Sequence, residues 1–416
     1  MKFAIISDTH FGDPACTLVT LQNGDIVKGE KYDEFKNAVG QDNDYLILAG
    51  DILDFSIAHY ETAYRYAQFF FQKIKDDGIA NEIIYLAGNH DADIWHIIQH
   101  QRAVINKLQM GYLPESFQHS VAGIIDDRAG SPNRGFTLDK VTVRSEQGKP
   151  KYAGMFLDKI TTPDTFFNFA YPNLYIITDN ESVLVTHGQY LEPYWAILGE
   201  IAMKIAYDDL KVGEVDIEEM VEMNFPLNQL ACTGIGQAGV LTKVVWMVER
   251  DIKNGDLSRM KKYLDRIGKE IDDMTDYGWL KEIIEDYIIK KAKEEILESI
   301  GKIKRTRYNE EFIYKEEVKE RFRRFYASSL LEIGDINSRT GLNIPAPWRI
   351  IFGHTHQPIP WNESNPPKLD TVSSASPRRL TMHNTGGWLK EGDRFCGAEI
   401  FIYNSKDGFS SISVTD

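Results

Sequence analysis

The sequence contains little cysteine, and none of it is spaced as a disulfide framework or a zinc finger. Cys16, Cys232 and Cys396 lie far apart in a chain of 416 residues. Small disulfide-stapled folds and thiolate metal sites are therefore excluded. The sequence also lacks any uncharged apolar run of about 18 residues, the length that a membrane-spanning helix requires. We therefore expect no membrane span.

The amino terminus lacks the charged, apolar and small-residue regions of a signal peptide, because Met1 leads directly into the strand-like residues 3–6. Scarce cysteine is typical of a reducing compartment. We therefore expect a cytoplasmic protein, and a peripheral contact with a membrane stays open.

Positive charge is in deficit. Lys and Arg number 47 against 62 Asp and Glu, which gives a formal net charge of -15. Such a field repels a nucleic acid unless a local basic surface intervenes. A small phosphate ester is still a suitable ligand, because bound cations can invert the local charge. Nucleic acid is thus the less favoured partner.

What the sequence does contain is a series of short apolar runs, each followed directly by a polar or glycine-rich cluster. The runs are residues 3–6, 45–49, 83–87, 183–185 and 348–352. Their length and lack of alternation predict strands buried on both faces. A helix predicted over residues 60–73 separates the second and third runs, as in a βαβ unit. Ligands of such units bind beyond the carboxyl ends of the strands.

The remaining chain differs in character. Residues 120–180 mix turn residues with short apolar stretches and predict irregular strands or a hairpin. From residue 194 the residue pattern is typical of helices, and helices are predicted over residues 280–300 and 316–331. One apolar stripe at helical spacing consists of Leu257, Met260, Leu264, Ile267, Ile271 and Met274. We predict an α/β core over residues 1–193 and 345–416, interrupted by a helical insertion or cap over residues 194–344.

The insertion contains the letters G-x-G-x-x-G at residues 234–239. No clear strand precedes them and no acidic residue closes a βαβ unit after them, so a nucleotide site is disfavoured. A bend or a close helix contact is the better interpretation. Apolar residues such as Trp195 could form a slot for acyl chains, but we favour the insertion's own core.

The polar clusters carry side chains that bind metals through nitrogen and oxygen. Asp8-x-His10 places a carboxylate and an imidazole on the same side of an extended backbone. Asp51 offers a carboxylate that can bridge two cations, and the preceding Gly50 allows a sharp turn. Asn89, His187 and the pair His354-x-His356 complete the set. This donor set suits Mn, Fe, Zn, Co or Ni.

These clusters occur in a specific order, and the sequence resembles the calcineurin-like metallophosphoesterase superfamily over residues 1–190 and 345–405. The motifs that carry the resemblance are Asp8-x-His10, Gly50-Asp51-x-x-Asp54, Gly88-Asn89-His90-Asp91, Thr186-His187-Gly188 and Gly353-His354-x-His356. The resemblance implies a four-layer αββα sandwich, in which two β-sheets are flanked by helices. It also implies two metal ions at the strand ends.

The resemblance further implies individual roles. Asp8, His10 and His356 would bind one metal, whereas Asn89, His187 and His354 would bind the other. Asp51 would bridge the two ions. Asp54 would contact one of the ligands and hold it in place without binding a metal itself. His90 would act as the general acid, oriented by Asp91. The expected reaction is hydrolysis of a phosphate ester by in-line attack of a metal-bridging hydroxide.

The substrate is less well defined. Phe55-Ser56 follows Asp54 where related protein phosphatases carry Arg-Gly, so a phosphoprotein is disfavoured. A monoester, a diester and a pyrophosphate stay open, including nucleotide and lipid-linked compounds. A nuclease acting on DNA ends and a non-catalytic metal-binding scaffold are the alternatives. His383 and Asn384 are candidates for the substrate pocket, although a turn between edge strands explains them equally well.

Overall fold

The computed structural model describes residues 1–140, 166–191, 215–229, 312–370 and 379–416, with a few single positions between 232 and 262. The strands in these residues are β1 (Lys2–Ile6), β2 (Val19–Gln22), β3 (Asp25–Lys28), β4 (Asn43–Ala49), β5 (Ala80–Leu86), β6 (Gly123–Asp126), β7 (Gly135–Leu138), β8 (Phe166–Ala170), β9 (Asn173–Ile177), β10 (Ser182–Thr186), β11 (Arg349–Phe352), β12 (Lys368–Asp370), β13 (Arg379–Asn384), β14 (Lys390–Glu391), β15 (Arg394–Phe395), β16 (Ala398–Asn404) and β17 (Gly408–Val414).

The helices in the same residues are α1 (Tyr32–Val39), α2 (Tyr60–Asp76), α3 (Asp93–Gln99), α4 (Asn106–Gln109), α5 (Ile217–Gln229) and α6 (Glu316–Thr340). A π-helical turn, His100–Ile105, joins α3 to α4. Short 3-10 helices cover Gln189–Leu191 and Phe312–Tyr314. No helix among these described residues is long and apolar enough to cross a membrane.

The first large sheet has six strands in the order β17-β16-β1-β4-β5-β8. The strands β1, β4, β5 and β8 run parallel, whereas β16 and β17 are antiparallel additions at one side. The predicted strands at residues 3–6, 45–49 and 83–87 are confirmed, as is the helix over 60–73, which lies within α2. Because the paired strands are parallel, the carboxyl ends of β1, β4 and β5 meet at one edge.

The second large sheet has seven strands in the order β12-β13-β11-β10-β9-β6-β7. The strands β10, β11 and β13 run parallel to one another. The predicted strands at residues 183–185 and 348–352 are therefore neighbours whose carboxyl ends point the same way. Within residues 120–180, β6 and β7 form the predicted antiparallel pair, and β9 joins them. Residues 141–165 lie outside the described part.

Aromatic contacts show how the layers pack. Tyr45 of β4 faces Phe136 of β7 with ring centroids 6.2 Å apart, which joins the two sheets. Phe71 of α2 packs on Phe167 of β8 at 5.8 Å, so α2 covers the outer face of the first sheet. Phe322 of α6 packs on Phe352 of β11 at 5.2 Å and covers the second sheet. The order helix, sheet, sheet, helix confirms the predicted αββα sandwich.

The helical insertion is described only in part. The predicted helix over residues 316–331 is confirmed and continues as α6 to Thr340, where Gly341 in the left-handed conformation ends it. The predicted helix over 280–300 and the apolar stripe from Leu257 to Met274 lie outside the described residues, as do Trp195 and the glycines of residues 234–239. The boundaries at residues 194 and 344 stay a prediction.

Candidate metal centre

The predicted ligands come together where the carboxyl ends of the two sheets meet. Asp8 follows β1, Asp51 follows β4 and Asn89 follows β5 in the first sheet, whereas His187 follows β10 in the second. Backbone hydrogen bonds fix these loops to one another. The Asp8 N–H donates to the Gly50 carbonyl at 3.0 Å, and the Gly353 N–H donates to the His187 carbonyl at 2.8 Å.

The backbone of this region is strained. Among non-glycine residues, a positive φ is found at five of the predicted ligands: Asp8 (53°), His10 (47°), Asp51 (51°), His354 (65°) and His356 (54°). L-residues adopt this left-handed conformation at a cost, and such residues concentrate at functional sites. The strain therefore marks these loops as candidates for a functional site.

The first ligand cluster consists of Asp8, His10 and His356, whose donor atoms all lie within 4.8 Å of one another. His356 Nε2 is 3.2 Å from Asp8 Oδ1 and also 3.2 Å from His10 Nε2. All three side chains are buried or nearly so. A carboxylate and two imidazoles in this arrangement can hold a divalent cation.

The second cluster consists of Asp51, His187 and His354, again within 4.8 Å. His187 Nε2 is 3.1 Å from Asp51 Oδ2 and 3.1 Å from Asn89 Oδ1, so the predicted amide ligand lies beside this cluster. Asp51 Oδ2 is also 3.8 Å from His10 Nε2. Asp51 thus belongs to the second cluster and also approaches the first one.

The histidine rings are oriented so that Nε2 faces the centre. His187 Nδ1 lies 3.0 Å from the Ala49 carbonyl, to which it must donate. His10 Nδ1 lies 2.8 Å from Asp54 Oδ2. A protonated Nδ1 leaves Nε2 with a lone pair, which is how a supporting acceptor fixes the tautomer of a metal-binding histidine. These residues therefore fit divalent metal ions.

Glycine precedes three of the ligands for a steric reason. Gly50 has φ of 93°, and a Cβ there would overlap the His187 imidazole. A Cβ at Gly88 would overlap the Asp51 carboxylate, and one at Gly353 would overlap the Asp8 carboxylate. The predicted sharp turn at Gly50 is confirmed, and the loops approach each other more closely than a side chain would permit.

The charges of the centre are mutually dependent. Burial alone would raise the pKa of the Asp8 carboxyl, but hydrogen bonds from His10 and His356 hold it well below its usual value. Burial would likewise lower the pKa of His187, but the charge of Asp51 raises it to about 9. The carboxylates therefore retain their charge and favour a nearby cation. Metal binding should displace protons from the imidazoles.

His90 lies at the open side of the centre. Its side chain is 16% exposed, against 3% for His10. Its Nδ1 is 2.7 Å from Ser56 Oγ and 3.0 Å from Asp54 Oδ1. The charges of Asp54 and Asp51 raise the pKa of His90 above its ordinary value, although burial opposes them.

The structure corrects the expected partner of His90. We predicted that Asp91 orients the ring, but the Asp91 carboxylate accepts hydrogen bonds from the backbone N–H groups of Gly88 at 2.6 Å and Ile52 at 2.8 Å, and from the Tyr85 hydroxyl. Burial and the Asp51 charge raise the pKa of Asp91 to about 6. Asp91 thus joins the loops after β4 and β5, and Asp54 orients His90. Asp54 thus supports His10, as expected, and contacts His90 as well.

His383 and Asn384 are also placed differently from the prediction of a substrate pocket. The His383 ring is fully buried, with Nδ1 donating to the Pro360 carbonyl at 3.0 Å and Nε2 accepting from Arg349 at 3.0 Å. The Asn384 amide donates to the Gly353 carbonyl at 2.7 Å and supports the turn that precedes His354. Both side chains therefore make their hydrogen bonds inside the protein, with partners from other segments of the chain.

Some contributing residues were not predicted from the sequence. The Ser7 hydroxyl donates to Asp8 Oδ2 and contacts the Thr385 hydroxyl. Gly387 lies against the His356 ring, where a Cβ would come within 3.0 Å of Cγ. The pair Gly386-Gly387 was the only signal in the sequence for the contact with His356. No local pattern predicts the contacts of Ser7.

Residues 1–190 match the family model for the calcineurin-like phosphoesterase. The match supports membership of these residues in the metallophosphoesterase superfamily. A search of curated proteins found no match. The match ends before the His354-x-His356 motif, so the contribution of that motif rests on the clusters described above. Family and clusters together support a metal-dependent phosphoester hydrolase in general.

Proposed function

We propose that this chain hydrolyses a phosphate ester with the aid of two divalent metal ions, drawn from Mn, Fe, Zn, Co or Ni. The observation that carries the proposal is the pair of three-residue clusters described above, together with a third group, His10, Asp51 and His90, that shares one residue with each of them. One set of ligands would be Asp8, His10 and His356. The other would be Asn89, His187 and His354, with Asp51 shared between them.

When bound, the two cations would lower the pKa of a shared water and neutralise the phosphate oxygens. The protein's own part is to fix the ligands beforehand, which the strained loops support. Asp8 is held by Ser7 and by the His354 N–H at 3.0 Å. These contacts keep its carboxylate oriented towards the centre.

We propose His90 as the general acid. Ser56 donates to Asp54 Oδ1 at 2.7 Å, and both contact His90 Nδ1, so the ring is held through that nitrogen. Its Nε2 would then donate a proton to the departing oxygen, which generally contributes about 10²–10⁴ in rate. The greater exposure of His90 is consistent with contact to a leaving group at the open side of the centre.

The substrate that we propose is a small phosphate ester, with mono-, di- and pyrophosphate esters as the candidates. The formal net charge of -15 disfavours a nucleic acid, because phosphate contacts are sequence-independent and need a basic surface. A nucleotide or a lipid-linked ester fits equally well. The free cysteines are consistent with the proposed cytoplasmic location.

The test is a panel of esters assayed in Mn²⁺: p-nitrophenyl phosphate, bis(p-nitrophenyl) phosphate, a nucleotide pyrophosphate and a lipid-linked pyrophosphate. We expect turnover of at least one compound that a chelator abolishes and Mn²⁺ restores. Metal binding without turnover of any compound would instead favour a scaffold. Degradation of single-stranded DNA with a steep salt dependence would favour a nuclease.

A further inference from the structure

The loops after β4 and β5 form one unit around His90. The Phe55 N–H donates to the His90 carbonyl at 3.0 Å, and the His90 N–H donates to Asp51 Oδ1 at 2.8 Å. The position of the His90 ring therefore depends on how the two loops are held relative to each other. The ligand clusters alone do not fix the outer side of these loops.

Gln237 contacts the outer side of the first loop with its whole amide group. Its Nε2 donates to the carbonyls of Phe55 and Ala58, both at 3.0 Å, and its Oε1 accepts from the Tyr60 N–H at 3.0 Å. Tyr60 is the first residue of α2, and its N-cap residue His59 makes no side-chain capping bond. Gln237 thus supplies the missing cap.

Cys232 and Gln229 make the corresponding contacts with the second loop. The buried Cys232 thiol lies 3.1 Å from the Asn89 carbonyl and 3.3 Å from the His90 carbonyl. Gln229 Nε2 donates to Asp93 Oδ1 at 2.9 Å, and Asp93 also accepts from the Tyr60 hydroxyl. The Cys232 contacts therefore lie on the backbone at Asn89 and His90, whereas the Gln229 contact lies at Asp93, the first residue of α3.

We propose that Gln237 and Cys232 are positioning residues that hold the two loops together and so set the place of the His90 ring. This inference rests on the proposed function. Gln237 belongs to the stretch of residues 234–239 whose glycine pattern does not bind a nucleotide on our interpretation. That part of the chain then acts on the reaction through His90 and not through a ligand of its own.

The chemistry of the contacts explains the residue type at position 237. Two carbonyls require two N–H donors, and one backbone N–H requires an acceptor at the same end of the side chain. Only an amide meets both needs. Glutamate has the same shape but offers no donor when ionised, so Gln237→Glu places a carboxylate against two carbonyls. The two carbonyl oxygens would lose their hydrogen-bond donors and would face a negative charge, which destabilises that arrangement.

The experiment is a double-mutant cycle between Gln237→Glu and His90→Ala, assayed with the best ester of the panel in Mn²⁺. We expect Gln237→Glu to lower kcat by about 10²-fold, as expected for a catalytic group displaced by roughly 1 Å. KM and metal stoichiometry should be unchanged. In the His90→Ala background the same substitution should have no further effect, because it acts through His90.

The matched control is Gln22→Glu, an identical chemical change on the exposed hairpin of β2 and β3, which should leave kcat and Tm unchanged. If Gln237→Glu fails to fold, Cys232→Ala and Cys232→Ser serve instead. The serine retains a donor and should keep more activity than the alanine. An equal loss of kcat in both His90 backgrounds, or no loss at all, would overturn the proposal.

A second readout separates this inference from the proposed function. The imidazole resonances of the metal-free protein can be followed by NMR and assigned by the His90→Ala variant. Gln237→Glu should shift the His90 resonance more than those of His10, His187, His354 and His356, whether or not an ester is ever turned over. An unshifted His90 resonance would refute the positioning role, whereas absence of turnover in wild type would refute only the proposed function.

Discussion

Two neighbouring strands of the second sheet carry histidines with opposite surroundings. His354 and His356 follow β11, whereas His383 lies within β13, paired with Ile351 of β11. The first two have strained left-handed backbones. His383 has the regular backbone of a strand, and its ring stacks on Trp361 with centroids 4.6 Å apart.

The ring nitrogens account for the difference. His383 Nδ1 donates to Pro360 and its Nε2 accepts from Arg349, so the ring is satisfied within the protein. His356 Nε2 instead lies 3.2 Å from His10 Nε2, and both nitrogens would act as acceptors once their protons are lost. Two acceptors at that distance gain from a cation between them. The comparison shows that the partners of a ring, and not its place near a motif, determine whether a histidine can bind a metal.

The largest effect is expected from the shared carboxylate of the ligand region. Asp51→Asn keeps the shape of the side chain but removes the charge that both clusters use. We expect activity below detection and a loss of bound metal, measured on one sample by ester assay and by metal analysis. Asp25→Asn, an exposed change on β3, is the control. Full activity in Asp51→Asn would disprove the assignment.

The next largest effect is expected at His90, which separates catalysis from metal binding. His90→Ala should retain the metal content of wild type, while turnover falls by about 10²–10⁴ if the ring is a general acid. The exposed His100→Ala is the matched control. Metal loss in His90→Ala would show that the ring belongs to a ligand cluster, contrary to the proposed division of roles.

A smaller effect is expected at Gly50, whose lack of a side chain allows the loop after β4 to approach His187 closely. Gly50→Ala and Gly392→Ala both place a side chain at positive φ, but only at Gly50 does the Cβ meet a ligand, the His187 ring. Both variants should lose about 1 kcal/mol or more of stability. Only Gly50→Ala should also lose metal affinity, by about tenfold or more. Equal metal affinity in the two variants, measured by calorimetry, would contradict the steric role.

The smallest effect on the metal centre is expected at His383. Burial, together with the charge of Arg349, lowers the pKa of His383 to about 4. As the pH is lowered from 6.5 to 4, the unfolded chain takes up a proton at residue 383 that the folded ring does not. The free energy of unfolding therefore decreases by about 3 kcal/mol over this range. His383→Phe should lose this part of the pH dependence and keep its metals.

Urea unfolding of wild type and His383→Phe at pH 7 and pH 4.5 measures that difference directly. The carboxylates of the metal centre contribute equally to the pH dependence of both proteins, so their contribution cancels in the difference between wild type and variant. An identical pH dependence in the two proteins would show that the ring is not held neutral. Loss of metal in the variant would contradict the separation of the two histidine regions.

The strands, and the meeting of the candidate ligands at their ends, could be predicted because both follow local rules. Apolar runs of strand length identify buried parallel strands, and their carboxyl ends share an edge. The contact of Asp54 with His90 could not be predicted, since Asp54 and Asp91 occur in similar loops and only the folded loops show that Asp54 reaches His90. The left-handed backbone at Asp8 depends on a distant contact, the Trp388 N–H donating to the Asp8 carbonyl at 2.9 Å.

His383 was misplaced for the same reason. Its partners Arg349 and Trp361 come from other parts of the second half of the chain, and no spacing around residue 383 indicates them. Proximity to the last motif suggested a pocket, whereas the fold turns the ring into the interior. Local patterns therefore identify ligands that lie on strand ends and fail for side chains whose surroundings are assembled over long range.

We propose above all that each of the two ligand sets holds one metal ion and that Asp51 is shared between the two ions. Anomalous diffraction from crystals grown with Mn²⁺ tests it most directly. The account predicts two peaks about 3.5–4 Å apart, one within bonding distance of Asp8, His10 and His356 and the other of Asn89, His187 and His354. A single peak, or peaks that do not contact Asp51, would contradict it.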